Sequence, residues 1–301
     1  QVAEPCGGFE GNAQSFRLLT RIEAKTVDEK GISVGLNLTR SILDAATKYP
    51  WSSATNSKKY GVYQDDLEIF NWMRNGAEDN QPSMEAQIMD WSDDVAYSVH
   101  DLEDALVTGH IELSRIKSDL PKIYQVAISE YLEDLSEAEA EQALENLTSL
   151  SCWPEEFDRS HRQLALLKDL TSQLIGRFAS AAERETRSQY GEGDLTRYSA
   201  NLLVPRVQRV EVAILKAMPG HYIIKAEKSQ ELYQKQRELL KELVILVLER
   251  APNSLESFFL QEWYRATTES EKLRVVIDQI ASLTDPGAYA LYRDLTGKSL
   301  D

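Results

Sequence analysis

The chain has 301 residues, enough to bury a substantial core in one large or two modest domains. It carries 33 Lys and Arg against 49 Asp and Glu, a formal charge of −16. A nucleic-acid backbone would be repelled, so broad nucleic-acid binding is not expected, whereas a small anionic substrate in a locally basic site remains open.

No run is apolar for long enough to span a bilayer and the opening residues show no signal-peptide pattern, so no membrane partner is expected. Cys6 and Cys152 are isolated, without metal-type spacing, which fits a reducing cytoplasm and buried apolar roles. Helical periodicity runs through nearly the whole chain and period-two alternation is nearly absent, which predicts an all-α fold. The opening Gln1-Val-Ala-Glu-Pro-Cys-Gly-Gly8 has no obvious beginning of a domain, so further protein is expected upstream. A first helix is expected from about Glu10 to Ala24, burying Phe16, Leu19 and Ile22, and a second from Leu36 to Lys48 with Leu38, Ile42 and Ala46 inward. Tyr49-Pro50 stops the second helix, and residues 51–64 form a polar loop carrying Lys58 and Lys59. A short helix near Asp65–Arg74 follows, then a Gly/Asn/Pro loop, then a long acidic helix entered through Pro82-Ser83 with Ser83 as its cap.

Beyond residue 135 the pattern stays helical. Ser136-Glu-Ala-Glu139 and Thr268-Glu-Ser-Glu271 are capping boxes, opening helices to about Leu150 and Leu283. A break at Trp153-Pro154 precedes a long helix from near Asp158 to Tyr190, and Tyr190–Pro205, with Gly191 and Gly193, has room for a short hairpin. Further helices are expected over Val207–Met218 and Ser229–Arg250; the apolar run Leu243–Leu248 in the latter suits a core, or a subunit interface. There is no internal repeat.

The acidic helix carries the strongest signal. Ile88, Val95, Val99, Leu102 and Leu106 recur at helical spacing and are expected to bury one side. Asp93, Tyr97 and Asp101 step by four along another side, flanked by Asp90, Asp94, His100 and Asp104. Like charges at this spacing repel, and a divalent cation, or a ligand carrying one, would relieve them. The plainer reading is a solvated acidic face; the interleaved Tyr97 and His100, with Trp91 nearby, argue for a cleft.

Five separated segments resemble the deoxyguanosine-triphosphate triphosphohydrolase-like proteins of actinobacterial type. They are Gly8-Phe-Glu-Gly-Asn-Ala-Gln14, Gly35-Leu-Asn-Leu-Thr39, Lys48-Tyr-Pro-Trp51, Glu85–Asp101, and Arg274-Val-Val-Ile-Asp-Gln-Ile-Ala-Ser-Leu-Thr-Asp285. That family belongs to the HD-domain superfamily of all-helical, metal-dependent phosphohydrolases. The resemblance implies an HD-like helical fold, with residues 1–150 as the C-terminal part of the hydrolase domain and 151–301 as a helical region packed on it. It also implies cleavage of a deoxynucleoside triphosphate, dGTP foremost, at its α-phosphorus, assisted by a divalent metal (Mg or Mn), in a cytoplasmic homo-oligomer.

Residue by residue, the resemblance makes Asp93 the last metal ligand and a catalytic carboxylate. It makes Tyr97 the ring that packs on the deoxyribose and Asp101 the acceptor for the 3′-hydroxyl. Lys48 and Tyr49 match positions near the triphosphate, although Tyr49 is equally the residue that ends a helix before a proline. Asn12 matches a substrate contact or caps a helix; Arg274 reaches phosphates, in this or a neighbouring subunit, or forms a surface ion pair with Glu271 or Asp278. The departure from the family is in the other ligands. The first histidine and the His-Asp pair lie upstream of Phe-Glu-Gly-Asn, where this chain has eight residues and neither His nor Asp. His100, His110, His161 and His221 stand in unrelated contexts. The alternative function is therefore a nucleotide-binding or assembly subunit without a complete metal site.

Overall fold

The computed structural model describes residues 2–224 and 227–297. Its all-α architecture matches the expectation: among the described residues there are twelve α-helices, and β pairing is confined to the isolated bridges Val27–Ser33 and Ser52–Val62. No helix among them is long and apolar enough to cross a membrane. The chain forms two compact units, one from residues 1–86 and 232–301, the other from 87–231.

The first unit begins with α1 (Gly11–Arg17), capped by the Glu10 carboxylate, whose Oε2 accepts from the backbone N–H groups of Asn12 and Ala13. α1 runs on into a π-helical turn, Leu18–Ile22. Such a turn leaves carbonyls without their usual partners. Here the Leu19 carbonyl accepts from the Leu36 N–H at 2.9 Å and the Arg21 carbonyl from the Ser33 hydroxyl at 2.6 Å. Gly35 makes the approach possible. It sits at φ +61°, and a β-carbon there would lie 2.2 Å from the Leu19 oxygen.

α2 (Arg40–Ala45) is shorter than expected and starts later, at the Thr39 cap. The inward set shifts accordingly: Leu43 and Asp44 are buried, while Ile42 and Ala46 are exposed. α3 (Leu67–Arg74) packs Phe70 and Met73 with Phe16, Leu43 and Val62. The end of the chain completes this unit. α9 (Glu227–Arg250), α11 (Glu269–Ala281) and α12 (Asp285–Thr296) bury Leu243, Val247, Val276, Ile277 and Tyr292 together, so much of the apolar run 243–248 serves the core, although Ile245 faces solvent. α10 (Ser257–Arg265) adds Phe259 against Ile22 and Val275. A buried ion cluster crosses the unit: Arg17 Nε donates to Asp278 at 2.7 Å and Nη1 to Asp66 at 2.9 Å. These two carboxylates hold the Arg17 guanidinium well above its usual range against the opposing cost of burial.

The second unit is built around α8 (Arg206–Pro219), which is buried on almost every side and packs against α5 (Ile116–Glu130) and α6 (Glu137–Thr148). Its one fully buried acid, Glu211, accepts from Arg177 of α7 (His161–Tyr190) and from Asn146. The capping box at Ser136 forms as expected. Arg206, then Ser136, holds the Glu139 carboxyl down to about 2. No hairpin forms over 190–205. Leu203 instead exchanges hydrogen bonds with Thr186 of α7, which ties the segment to a helix rather than to a second strand.

Candidate functional site

α4 (Met84–Thr108) is entered as expected, with the Ser83 hydroxyl accepting from the Ala86 N–H. Val95, Val99, Leu102 and Leu106 are buried in the second unit's core. Ile88 is exposed rather than inward: before Val95 the buried apolar positions of this helix are Met84 and Ala86. Asp93, Tyr97 and Asp101 lie on the exposed side, with Tyr97 at 57% exposure. Trp91 turns the other way and packs edge-on against Phe178, so it does not wall a cleft beside this line.

The electrostatic conflict of the acidic face is partly answered by the protein itself. Lys216 of α8 places its ammonium 2.7 Å from Asp94 and over the Tyr131 ring at 4.7 Å. Glu103, on the buried side, is held by Lys168 and Thr171. Crowding around the Asp101 carboxyl, then the like charge of Asp104, raises its pKa above the usual carboxylate range despite the opposing pull of His100 and Lys216. Asp93 stands one turn before Tyr97 in the open. Among the described residues no group of three His, Cys, Asp or Glu side chains is arranged to hold a metal ion. A single exposed carboxylate does not make a metal centre, so the residues present do not fit a complete one.

The remaining candidates belong to the first unit. Asn12 is half-buried; it does not cap α1 but donates its side-chain amide to Glu10 Oε1 at 2.9 Å. Lys48 lies with its ammonium 5.6 Å from the centre of the Tyr49 ring, and Tyr49 packs on Trp51 at 5.5 Å. Trp51 in turn donates its indole N–H to the Lys59 carbonyl. Lys59 Nζ lies 3.8 Å from Glu10 Oε1. Lys59 thus links the Lys48-Tyr49 segment to the Glu10–Asn12 cap, a role invisible in the sequence, where it was one lysine of a polar loop. Only the absence of acids in residues 45–64 hinted at it.

Arg274 forms no surface ion pair. It is 2% exposed, stacks over Tyr63 at 4.0 Å, and donates through Nη2 to the carbonyls of Cys6 and Gly8 at 2.6 and 2.7 Å. Tyr63 passes the restraint on: it bonds the backbone of Glu10 and the side chain of Gln14. Arg274 therefore holds the turn that leads into the Glu10–Asn12 cap.

Comparisons with known proteins follow this pattern. Residues 202–294 match the family model of the phosphohydrolase-associated domain. A deoxyguanosinetriphosphate triphosphohydrolase-like protein of Streptomyces coelicolor is 48% identical over 98% of this chain and 71% of its own length. Proteins of the same name from Bifidobacterium longum and Corynebacterium glutamicum are 40% and 39% identical, over 97% and 98% of this chain. The chain spans 64% and 71% of those two relatives.

Proposed function

Because the chain belongs to the deoxyguanosinetriphosphate triphosphohydrolase-like family, we propose that the protein hydrolyses a deoxynucleoside triphosphate, dGTP foremost, to the deoxynucleoside and triphosphate. In that reaction water adds to the α-phosphorus, the bond from that phosphorus to the sugar 5′-oxygen breaks, and the oxygen leaves as a hydroxyl. Little covalent chemistry falls to the protein in such a transfer, so catalysis rests on positioning and on charge.

The observation that carries this reading is the exposed line on α4. A buried aliphatic stripe fixes one side of the helix, and Asp93, Tyr97 and Asp101 project from another at one-turn intervals. Tyr97 offers a ring for the face of a deoxyribose, which a 2′-hydroxyl would crowd, and Asp101 an acceptor for the 3′-hydroxyl. Asp93 is the acidic group on which turnover depends; the family resemblance makes it a metal ligand, and the described residues do not complete that set. In the first unit, Lys48 and Tyr49 suit the polyphosphate, with Asn12 beside them on the Glu10 cap and Arg274 as the clamp behind that cap.

Product identity tests the reading. Incubation of the full-length protein with dGTP and manganese should release deoxyguanosine and triphosphate in equal amounts. Release of pyrophosphate or of a single phosphate would refute it. The incomplete ligand set around the exposed Asp93 favours one other reading, a nucleotide-binding subunit without turnover. That reading requires measurable dGTP affinity with no products, so the same assay separates the two.

A further inference from the structure

A line of buried side chains in the first unit leads from α11 to the cap of α1. Asp278 is its fixed point: Arg17 Nε donates to Oδ2 at 2.7 Å, and the Gln14 side-chain amide donates to Oδ1 at 2.9 Å. A carboxylate beside a guanidinium accepts only, so it takes the amide N–H and turns Gln14 Oε1 the other way. That oxygen lies 3.3 Å from the Tyr63 hydroxyl. With its proton directed to Gln14, the hydroxyl keeps its lone pairs for the Glu10 N–H, which donates to it at 3.1 Å. The Glu10 carbonyl, 3.2 Å from the same hydroxyl, already accepts the first hydrogen bond of α1 from the Gln14 N–H. Glu10, Gln14, Arg17, Tyr63 and Asp278 are all buried, so a link left open would strand a polar group away from water.

The line ends on Asn12. The Glu10 backbone is extended, with φ −139° and ψ 131°, which brings its carboxylate over the first turn of α1. There Oε1 accepts from Asn12 Nδ2 at 2.9 Å, and Oε2 accepts from the N–H groups of Asn12 and Ala13. A side-chain amide held through one N–H presents its second in a set direction. We propose that Tyr63 is a positioning residue for the nucleotide. By fixing the Glu10 backbone, its hydroxyl sets the direction in which Asn12 offers that second N–H to the phosphate tail. The assignment rests on the functional reading above and adds to it a residue that acts from behind the contact.

The test is a double-mutant cycle on KM for dGTP, read as triphosphate release by the full-length protein, with melting temperatures recorded throughout. Tyr63→Phe removes the hydroxyl and keeps the ring on which Arg274 stacks. Tyr60→Phe is the control, because it removes a hydroxyl from the same buried aromatic pair, one that bonds Gly7 rather than Glu10. Asn12→Ala should raise KM about tenfold, the scale of one charge-assisted hydrogen bond. Tyr63→Phe should raise KM about threefold with kcat little changed, the pattern of disturbed binding rather than disturbed chemistry. In the Asn12→Ala background the same substitution should add nothing. Glu10→Gln, one link further along, should repeat the cycle and carries the test alone if Tyr63→Phe does not fold. Tyr60→Phe should keep the wild-type KM. A wild-type KM in Tyr63→Phe or in Asn12→Ala, an equal rise with and without the Asn12 side chain, or an equal rise in Tyr60→Phe would overturn the assignment while leaving the dGTP reaction standing. A wild-type protein that releases no triphosphate would overturn both.

Discussion

Tyr97 contributes nothing to the core beneath it. Its ring is 57% exposed, while Val95 and Val99 on either side of it in sequence are buried. Removing it should therefore leave stability within about 0.5 kcal/mol of wild type. Its proposed work is discrimination: Tyr97→Ala should lower the ratio of kcat/KM for dGTP over GTP, and an unchanged ratio would remove the ring from the sugar face. Arg274 is the opposite case. Among nearby acids in the sequence it reads as a surface charge, yet it is buried and bonded to two backbone carbonyls. Sequence spacing shows which side chains share a helix face; it does not show that the chain's first residues cover that face. The same limit hid Lys59, whose significance comes from Trp51 and Glu10, at separations of 8 and 49 residues.

At the scale of elements, what was legible is what is decided locally. The capping boxes at Ser136 and Thr268 and the Ser83 cap of α4 all rest on side chains within a few residues of the backbone they serve, whereas α2 ends at Ala45, before the Pro50 expected to stop it. The phase of α2 was not legible, because a helix of six residues has too few apolar positions to define a face, and the Thr39 cap starts it at Arg40, four residues later than its pattern suggests. The π-helical turn after α1 was equally hidden. Its carbonyls are satisfied by Ser33 and Leu36, which no periodicity in α1 reports. That junction makes Gly35 a sensitive position. Gly35→Ala forces a β-carbon against the Leu19 carbonyl at positive φ, and should destabilise the protein by more than about 1 kcal/mol in denaturant unfolding. A neutral outcome would show that the loop does not hold the π turn as described.

At the scale of the whole molecule, the first unit draws on both ends of the chain, with the ion cluster Arg17, Asp66 and Asp278 joining residues more than two hundred apart in sequence. Periodicity predicted helices over most of the chain and so the all-α class, but not which helices share a core. The proposed function joins a reaction to this architecture, and the proposal places it on the exposed α4 face. Asp93 is the decisive residue: it is exposed and away from the core, so its loss should not disturb the packing. The most direct measurement is triphosphate release from dGTP by the full-length Asp93→Ala protein, beside its melting temperature. The account requires that turnover vanish while the melting temperature stays that of wild type. Turnover at the wild-type rate would contradict it, and with it the assignment of the α4 face to the reaction.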